Sequence, residues 1–246
     1  MKPIVIVQHE ADTGPGHFER YLIERHLPSE IVRVFAGESI PRTAVRYAGI
    51  CSLGGSMSVN DDLPWIDEEL LLLRDADQRG VPIIGHCLGG QLLAKAFGAT
   101  VSRNVMKEIG WSEVDVEDPE LARDWVGTGS SLELFQWHGD TFALPSGARR
   151  FLTSRLCANQ AFVIARERHS HLGMQFHVEM TPQLIRAWAG DPHGKQEIDA
   201  AFERQNGVGV QRAEDLMLDA DERTTRMSVI ADRIYERWLR GVATGD

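Results

Sequence analysis

An α/β fold built around a parallel sheet is predicted for this chain by three observations. Short apolar runs alternate with amphipathic helical patterns through the first half. Val81-Pro-Ile-Ile84 is wholly apolar, as a strand covered on both faces should be. With 246 residues of ordinary apolar content, the chain can bury one substantial core, so a single domain with an appendage is expected over two equal domains.

The elements follow in order. Ile4–Val7 reads as the first strand, and His17 to Leu27 as a helix after the Gly14-Pro-Gly16 turn. Ile31–Phe35 and Ala48–Leu53 read as further strands. Asp62-Leu-Pro64 opens a helix with Ile66, Leu70 and Leu73 on one face and Gly80 beyond its end. After the helix that follows residue 87, short β-like runs (Ser112–Val116, Leu132–Gln136, Phe151–Thr153, Phe162–Ala165, His171–Phe176) predict a mixed sheet with hairpins. From about Thr181 the chain turns helical, and the polar, glycine-interrupted stretch 190–221 predicts short helices and loops. Thr224 to Leu239 carries Met227, Ile230, Ala231, Ile234 and Trp238 on one stripe, most simply a helix docked on the core. The expected division is a domain over residues 1–189 with a helical extension, 190–246, packed on it.

Composition excludes several functions. A formal charge of −10 provides no electrostatic footprint for nucleic acid or an anionic membrane. Cys51, Cys87 and Cys157 are widely spaced and odd in number, unlike a disulfide framework, so a reducing cytoplasm is expected. No apolar run approaches membrane-spanning length, and Ile4–Val7 is too short and too soon followed by Glu10 and Asp12 to be a signal peptide.

The chemistry concentrates in Gly85-His-Cys-Leu-Gly-Gly-Gln91. A strand, a sharp turn carrying Cys87 and a helix beginning directly after it set a thiol at the positive end of a helix dipole, which favours thiolate. The amides of the first helical turn, Leu88 first among them, face wherever an oxyanion would form. The surrounding glycines are expected to permit positive φ and close backbone approach. The competing reading, a buried structural cysteine beside a packing turn, accounts poorly for glycines on both sides and a helix start immediately after.

A thiolate nucleophile needs a base, and the base an orienting group. Among nine histidines, His177 lies in Gly173-Met-Gln-Phe-His-Val-Glu179 at the expected end of a strand, where residues two apart share a face. Glu179 can then accept from the imidazole and fix its tautomer, giving the candidate triad Cys87, His177, Glu179. His86 diverges from its neighbour at a tight turn and is expected to shape the pocket. His169 and His171 have the look of a metal pair, but without a nearby third ligand, surface histidines of a hairpin are the better expectation. His9, His17, His26 and His193 show no local constellation. The Gly54-Gly55 turn after a predicted strand either supplies an oxyanion donor or simply joins strand to helix. Trp137-His-Gly-Asp140 is either a specificity loop or a hairpin.

These pieces, in this order and at these separations, resemble the class I (triad) glutamine amidotransferases. Trp137-His-Gly-Asp140, similar to a Ser-His-Gly-Asp stretch, points to the GMP-synthetase-like branch. The likeness spans roughly residues 1–185. It implies a doubly wound, mostly parallel sheet flanked by helices, with the site at the carboxyl ends of the strands. It also implies attack by Cys87 on a γ-glutamyl amide, proton shuttling by His177, orientation of His177 by Glu179, and an oxyanion hole from the amides of Gly55 and Leu88. Gly54, Gln91, Trp137, His138, Gly139 and Asp140 would grip the substrate, with Asp140 on the α-ammonium. No cofactor or metal is implied. Val178 stands where the family usually has proline, and Trp137 replaces a small polar residue. No synthetase portion follows, since the remaining sixty or so residues hold no phosphate loop.

Two enzymatic functions therefore compete: a glutamine-hydrolysing subunit handing ammonia to a separate synthase, and a stand-alone γ-glutamyl peptide hydrolase. A pseudoenzyme or binding module has no use for an activated thiol. An unrelated α/β cysteine hydrolase does not call for Gln91 or the His-x-Glu adjacency. Oligomeric state and the role of 190–246 are left open by the sequence.

Overall fold

The computed structural model describes residues 1–242. Its centre is a nine-stranded sheet in the order β2-β1-β3-β4-β9-β8-β7-β5-β6. The strands are β1 (Ile4–Gln8), β2 (Ser29–Arg33), β3 (Gly49–Ser52), β4 (Ile83–His86), β5 (Val101–Val116), β6 (Ser131–Phe142), β7 (Arg149–Thr153), β8 (Ala161–Ala165) and β9 (Ser170–Met174). Strands β2, β1, β3, β4 and β9 pair in parallel, whereas β9-β8-β7-β5-β6 pair antiparallel.

Both faces of the parallel half are covered, which is why its strands read as unbroken apolar runs. Ile4 and Ile6 of β1 pack with Phe18, Tyr21 and Leu22 of α1 (Gly16–Glu24). The intervening Val5 and Val7 pack on the other face with Ile66, Leu70 and Leu73 of α2 (Pro64–Gln78) and Leu92 and Leu93 of α3 (Leu88–Ala96). Burial on alternate sides of successive residues makes the sheet doubly wound, as expected. Beyond α4 (Pro119–Trp125), the chain ends in α5 (Pro182–Gly190), α6 (Pro192–Gln205), α7 (Ala213–Met217) and α8 (Ala220–Leu239). Met227, Ala231, Ile234, Tyr235 and Trp238 of α8 join the α1-side core. No described helix is long and apolar enough to cross a membrane.

Several elements differ from the sequence expectation. The second strand starts at Ser29, and Val34–Ala36 turns into a short 3-10 helix closed by Gly37 at φ 80°. The separate runs expected at 112–116 and 132–136 are parts of one long hairpin, β5 and β6, whose register slips between Arg103 and Glu108. That bulge breaks the alternation that would have revealed its length. Within 190–221, α6 is a full 14-residue helix, its N-terminus capped by the Asp191 carboxylate accepting from the His193 and Gly194 amides.

The glycines around Cys87 do not take positive φ; the cysteine itself does, at φ 49°. They serve close approach instead. A β-carbon on Gly89 would lie 2.1 Å from the Ser52 carbonyl oxygen, and one on Gly90 2.4 Å from that of Met174. The start of α3 is thus wedged against backbone of β3 and β9. Gly89→Ala is expected to destabilise the fold by about 3 kcal/mol, since rigid backbone must move to admit the methyl. Urea denaturation checks this; an unchanged midpoint would mean that α3 shifts freely.

Candidate active site

The carboxyl ends of β1, β3, β4 and β9 converge where the strand order reverses, and the loops leaving them carry the candidate groups. Cys87 sits between β4 and α3 at φ 49°, ψ −106°, a strained backbone for a residue with a β-carbon. The geometry is fixed from both sides: its N–H donates to the Met174 carbonyl at 2.9 Å, and its carbonyl accepts from Gln91 N–H at 3.0 Å. Around Sγ stand the Trp137 carbonyl at 3.7 Å and the Gln175 Nε2 donor at 3.6 Å.

His177 and Glu179 lie beyond the end of β9 at Met174, so they do not share a strand face as expected. The turn that carries them achieves the same pairing: His177 Nδ1 donates to Glu179 Oε1 at 2.7 Å. His177 N–H is tied to the Phe135 carbonyl at 2.9 Å, and its ring meets Trp188 edge-on at 5.1 Å between centroids. Nε2 is buried without a hydrogen-bond partner among the described residues. Cys87 and His177 line one cavity of about 790 Å³. Burial works against the imidazolium, but the Glu179 carboxylate and the Cys87 sulfur outweigh it and raise the His177 pKa to about 10. Glu179 is pushed up by its own burial and pulled down further by His177 and His86, for a net lowering.

Gly54 and Gly55 form the turn after β3. Gly54 admits no side chain, because a β-carbon there would approach His177 Cε1 to 2.8 Å. Gly55 lines the cavity opposite α3. The Gly89 amide is used by the Leu53 carbonyl at 3.1 Å. The Leu88 and Gly55 amides donate to no protein group among the described residues. Gln91 is buried, its Nε2 3.4 Å from both Gln175 Oε1 and the Asp140 carbonyl. Trp137 to Asp140, read as either a specificity loop or a hairpin, belong to strand β6 of the β5–β6 hairpin, which is longer than its apolar pattern shows. All four line the cavity. Asp140 accepts from Ser58 Oγ at 2.8 Å, with Arg103 Nε at 3.8 Å.

Other expectations are corrected. His86 does not line the cavity; it is fully buried behind the triad, with Nε2 3.9 Å from Glu179 Oε2 and 3.5 Å from the Tyr235 hydroxyl of α8. Burial lowers its pKa. His171 is buried, not a surface residue, and Asp77 is the third group the sequence did not place beside His169 and His171. Asp77 Oδ1 accepts from His171 Nε2 at 2.9 Å, while Arg166 grips both Asp77 oxygens at 2.6 and 3.0 Å. Glu108, His138 and Cys157 form a second compact set, but Glu108 is taken up by Ser154 at 2.9 Å, Gln160 at 2.9 Å and His138 at 3.1 Å. Hydrogen bonds account for both carboxylates, and neither set is needed as a metal centre.

The sequence reading missed part of the cavity wall. Trp188, Asp191, His193 and Glu197, from α5, α6 and their junction, line it together with Arg103 and Lys107 of β5. Glu197 ties this wall together by accepting from Trp137 Nε1 at 2.9 Å and by pairing with Lys107. His9, assigned no chemistry, is fully buried and hydrogen-bonded to Glu69 and to the Gly54 carbonyl.

Residues 17–187 match the family model of the class I glutamine amidotransferases. The glutamine amidotransferase-like protein YfeJ of Salmonella typhimurium is 28% identical over 198 residues, covering 78% of this chain and 81% of that protein. The GMP synthase of Candida albicans is 38% identical over 147 residues, 58% of this chain but 26% of the synthase, so the match spans about a quarter of that enzyme. A crystal structure of a glutamine amidotransferase from Methylobacillus flagellatus superposes with a TM-score of 0.93 at 38% identity, covering 100% of this chain and 97% of that one. One from Thermotoga maritima gives 0.81 at 26% identity, covering 97% and 98%. With its doubly wound sheet and the Cys87 elbow, the chain belongs to the class I glutamine amidotransferases.

Proposed function

We propose that this protein hydrolyses a γ-glutamyl amide through a γ-glutamyl thioester on Cys87, converting glutamine to glutamate and ammonia. One observation carries the reading. A cysteine held at positive φ at the head of α3 shares its cavity with an imidazole whose Nδ1 is anchored to Glu179 and whose Nε2 is uncommitted. In this scheme Cys87 Sγ attacks the amide carbonyl carbon and the carbonyl oxygen takes up negative charge between the Gly55 and Leu88 amides. Collapse breaks the C–N bond as His177 Nε2 gives its proton to the departing nitrogen. Water, losing a proton to His177, then attacks the thioester, releasing glutamate and restoring the thiol. Gln91 and residues 137–140 hold the amino-acid end, with Asp140 facing the α-ammonium. Residues 1–189 carry the chemistry, and the extension from 190, through residue 242, packs on them and supplies part of the cavity wall, its last four residues, 243–246, lying outside the described residues. Three free, buried thiols suit a reducing cytoplasm.

A second reading, hydrolysis of a γ-glutamyl peptide without a synthase, is favoured by the size of the cavity. At about 790 Å³ it falls in the range that holds drug-sized ligands and exceeds what glutamine fills. Trp188 and His193 line the same cavity as Cys87 and His177. The experiment that separates the readings assays purified protein alone on glutamine, glutathione and other γ-glutamyl amides. Brisk cleavage of the larger amides, with kcat/KM at least about tenfold above glutamine, supports the peptidase. Near-silence relieved only by adding a synthase supports the ammonia-supplying subunit, the arrangement that likeness to GMP synthases favours. Inertness toward every γ-glutamyl substrate under both conditions rejects the proposal.

A further inference from the structure

His9 follows β1 and sits beneath the Gly54-Gly55 turn, where it has no part in the triad. Its side chain and that of Glu69 on α2 are entirely shielded from solvent. His9 Nε2 meets Glu69 Oε2 at 2.8 Å, the other Glu69 oxygen accepts from Ser52 Oγ at 2.6 Å, and His9 Nδ1 lies 3.2 Å from the Gly54 carbonyl oxygen. A carbonyl oxygen only accepts, so Nδ1 must carry a proton whatever the state of Nε2. Burial disfavours the imidazolium, but the Glu69 carboxylate facing Nε2 outweighs it and raises the His9 pKa, which favours a proton on Nε2 as well. The Trp65 ring, 4.9 Å away, suits a cation.

The consequence follows from peptide geometry. No described peptide bond is cis, and in a trans peptide the C=O and the next N–H point in opposite directions. Pinning the Gly54 oxygen toward His9 therefore turns the Gly55 N–H the other way. Gly54 itself abuts the reacting groups, since a β-carbon there would come within 3.8 Å of Cys87 Cβ and 2.8 Å of His177 Cε1. A peptide between two glycines has little intrinsic preference and needs an external hold to keep one orientation.

We propose that His9 is a positioning residue: through the Nδ1–H bond to the Gly54 carbonyl, held in register by Glu69 and Ser52, it fixes the Gly54–Gly55 peptide with its N–H turned toward the oxyanion formed when Cys87 attacks. The proposal rests on the γ-glutamyl hydrolase reading above. It concerns one step only. Formation of the tetrahedral oxyanion needs the Gly55 donor, whereas simple alkylation of Cys87 does not.

Two conservative variants separate the His9 hydrogen bonds, because the amide nitrogen of asparagine falls near Nδ1 of histidine and that of glutamine near Nε2. His9→Gln keeps a donor for Glu69 and loses the one for Gly54; it is expected to lower kcat about 10²-fold with KM nearly unchanged. His9→Asn keeps the Gly54 donor and is expected to retain at least about ten times the kcat of His9→Gln. Alkylation of Cys87 by iodoacetamide should proceed at the wild-type rate in both. Equal kcat in the two variants, or alkylation slowed as much as turnover, overturns the proposal. If either fails to fold, Glu69→Gln takes its place, with a fall in kcat and unchanged alkylation expected and parallel loss of both decisive against it. A wild-type protein inert toward all γ-glutamyl substrates defeats the hydrolase reading and this proposal with it. Active wild type beside a fully active His9→Gln defeats this proposal alone.

Discussion

Cys87→Ala is expected to lower kcat on γ-glutamyl substrates by about 10⁴-fold or more while leaving the protein folded. The thiol is the reacting atom, yet its removal disturbs little. Alanine keeps the β-carbon, the N–H bond to Met174 and the start of α3. It also keeps the strain, because any residue with a β-carbon at φ 49°, ψ −106° is held in a sparsely populated conformation costing about 1–3 kcal/mol. Cys87→Gly relieves that strain and loses some of the gain to the freer unfolded chain. The glycine variant should therefore be equally inactive but about 1 kcal/mol more stable than the alanine variant in equilibrium denaturation. Adding His177→Ala to Cys87→Ala should cost little further activity, since the two act as a unit. Wild-type hydrolysis by Cys87→Ala would remove the nucleophile from the scheme. A glycine variant less stable than the alanine variant would mean that the elbow stores no strain.

What could be read in the chain and what could not divides along sequence separation. The elbow is local: an apolar strand, glycines that admit close backbone, and a helix of Leu88, Leu92 and Ala96 lie within a dozen or so positions, so the pattern carries its own geometry. His177 and Glu179 were legible for the same reason, although the turn after Met174, not a strand face, joins them. His9 was not legible. Its partners are 45 and 60 residues away on other elements, and a lone histidine after a strand carries no spacing signal. Glu69 even lies within the apolar stripe of α2, where it is fully buried. The wall formed by Trp188, Asp191, His193 and Glu197 was hidden differently. Its polar, glycine-broken sequence has the composition of solvated loops, and only the folding of α6 against β5 turns it toward Cys87. His86 shows the converse error. Even diverging from Cys87 at the turn, it was expected to shape the pocket, but the turn carries His86 behind the site, against Tyr235 and Glu179.

Glu179→Gln should shift the pH dependence of catalysis in a direction the site dictates. In the intact protein the Glu179 carboxylate and the Cys87 sulfur hold the His177 proton against burial, up to about pH 10. The proton given to the departing nitrogen is thus present throughout the neutral range, and kcat/KM should fall only as pH rises through the raised value. Glutamine at 179 still accepts from Nδ1 but carries no charge, so burial is opposed only by Cys87 and the imidazolium gives up its proton at lower pH. The alkaline limb is expected to move down by at least about one unit. The neutral amide, which orients His177 without stabilising its charge, should also lower the plateau below that limb by about 10²-fold, less than the loss from His177→Ala, which removes the proton carrier itself. Stability should follow the same pair. A raised imidazole value stabilises the fold fully below its ordinary 6.5, and that contribution is lost as pH rises toward about 10. The lowered Glu179 value stabilises above its ordinary 4.5, and that contribution is lost as pH falls. The deficit of the variant in denaturant midpoints should accordingly be widest between these two values and narrow on either side. An alkaline limb that stays in place would show that Glu179 does not support the His177 charge.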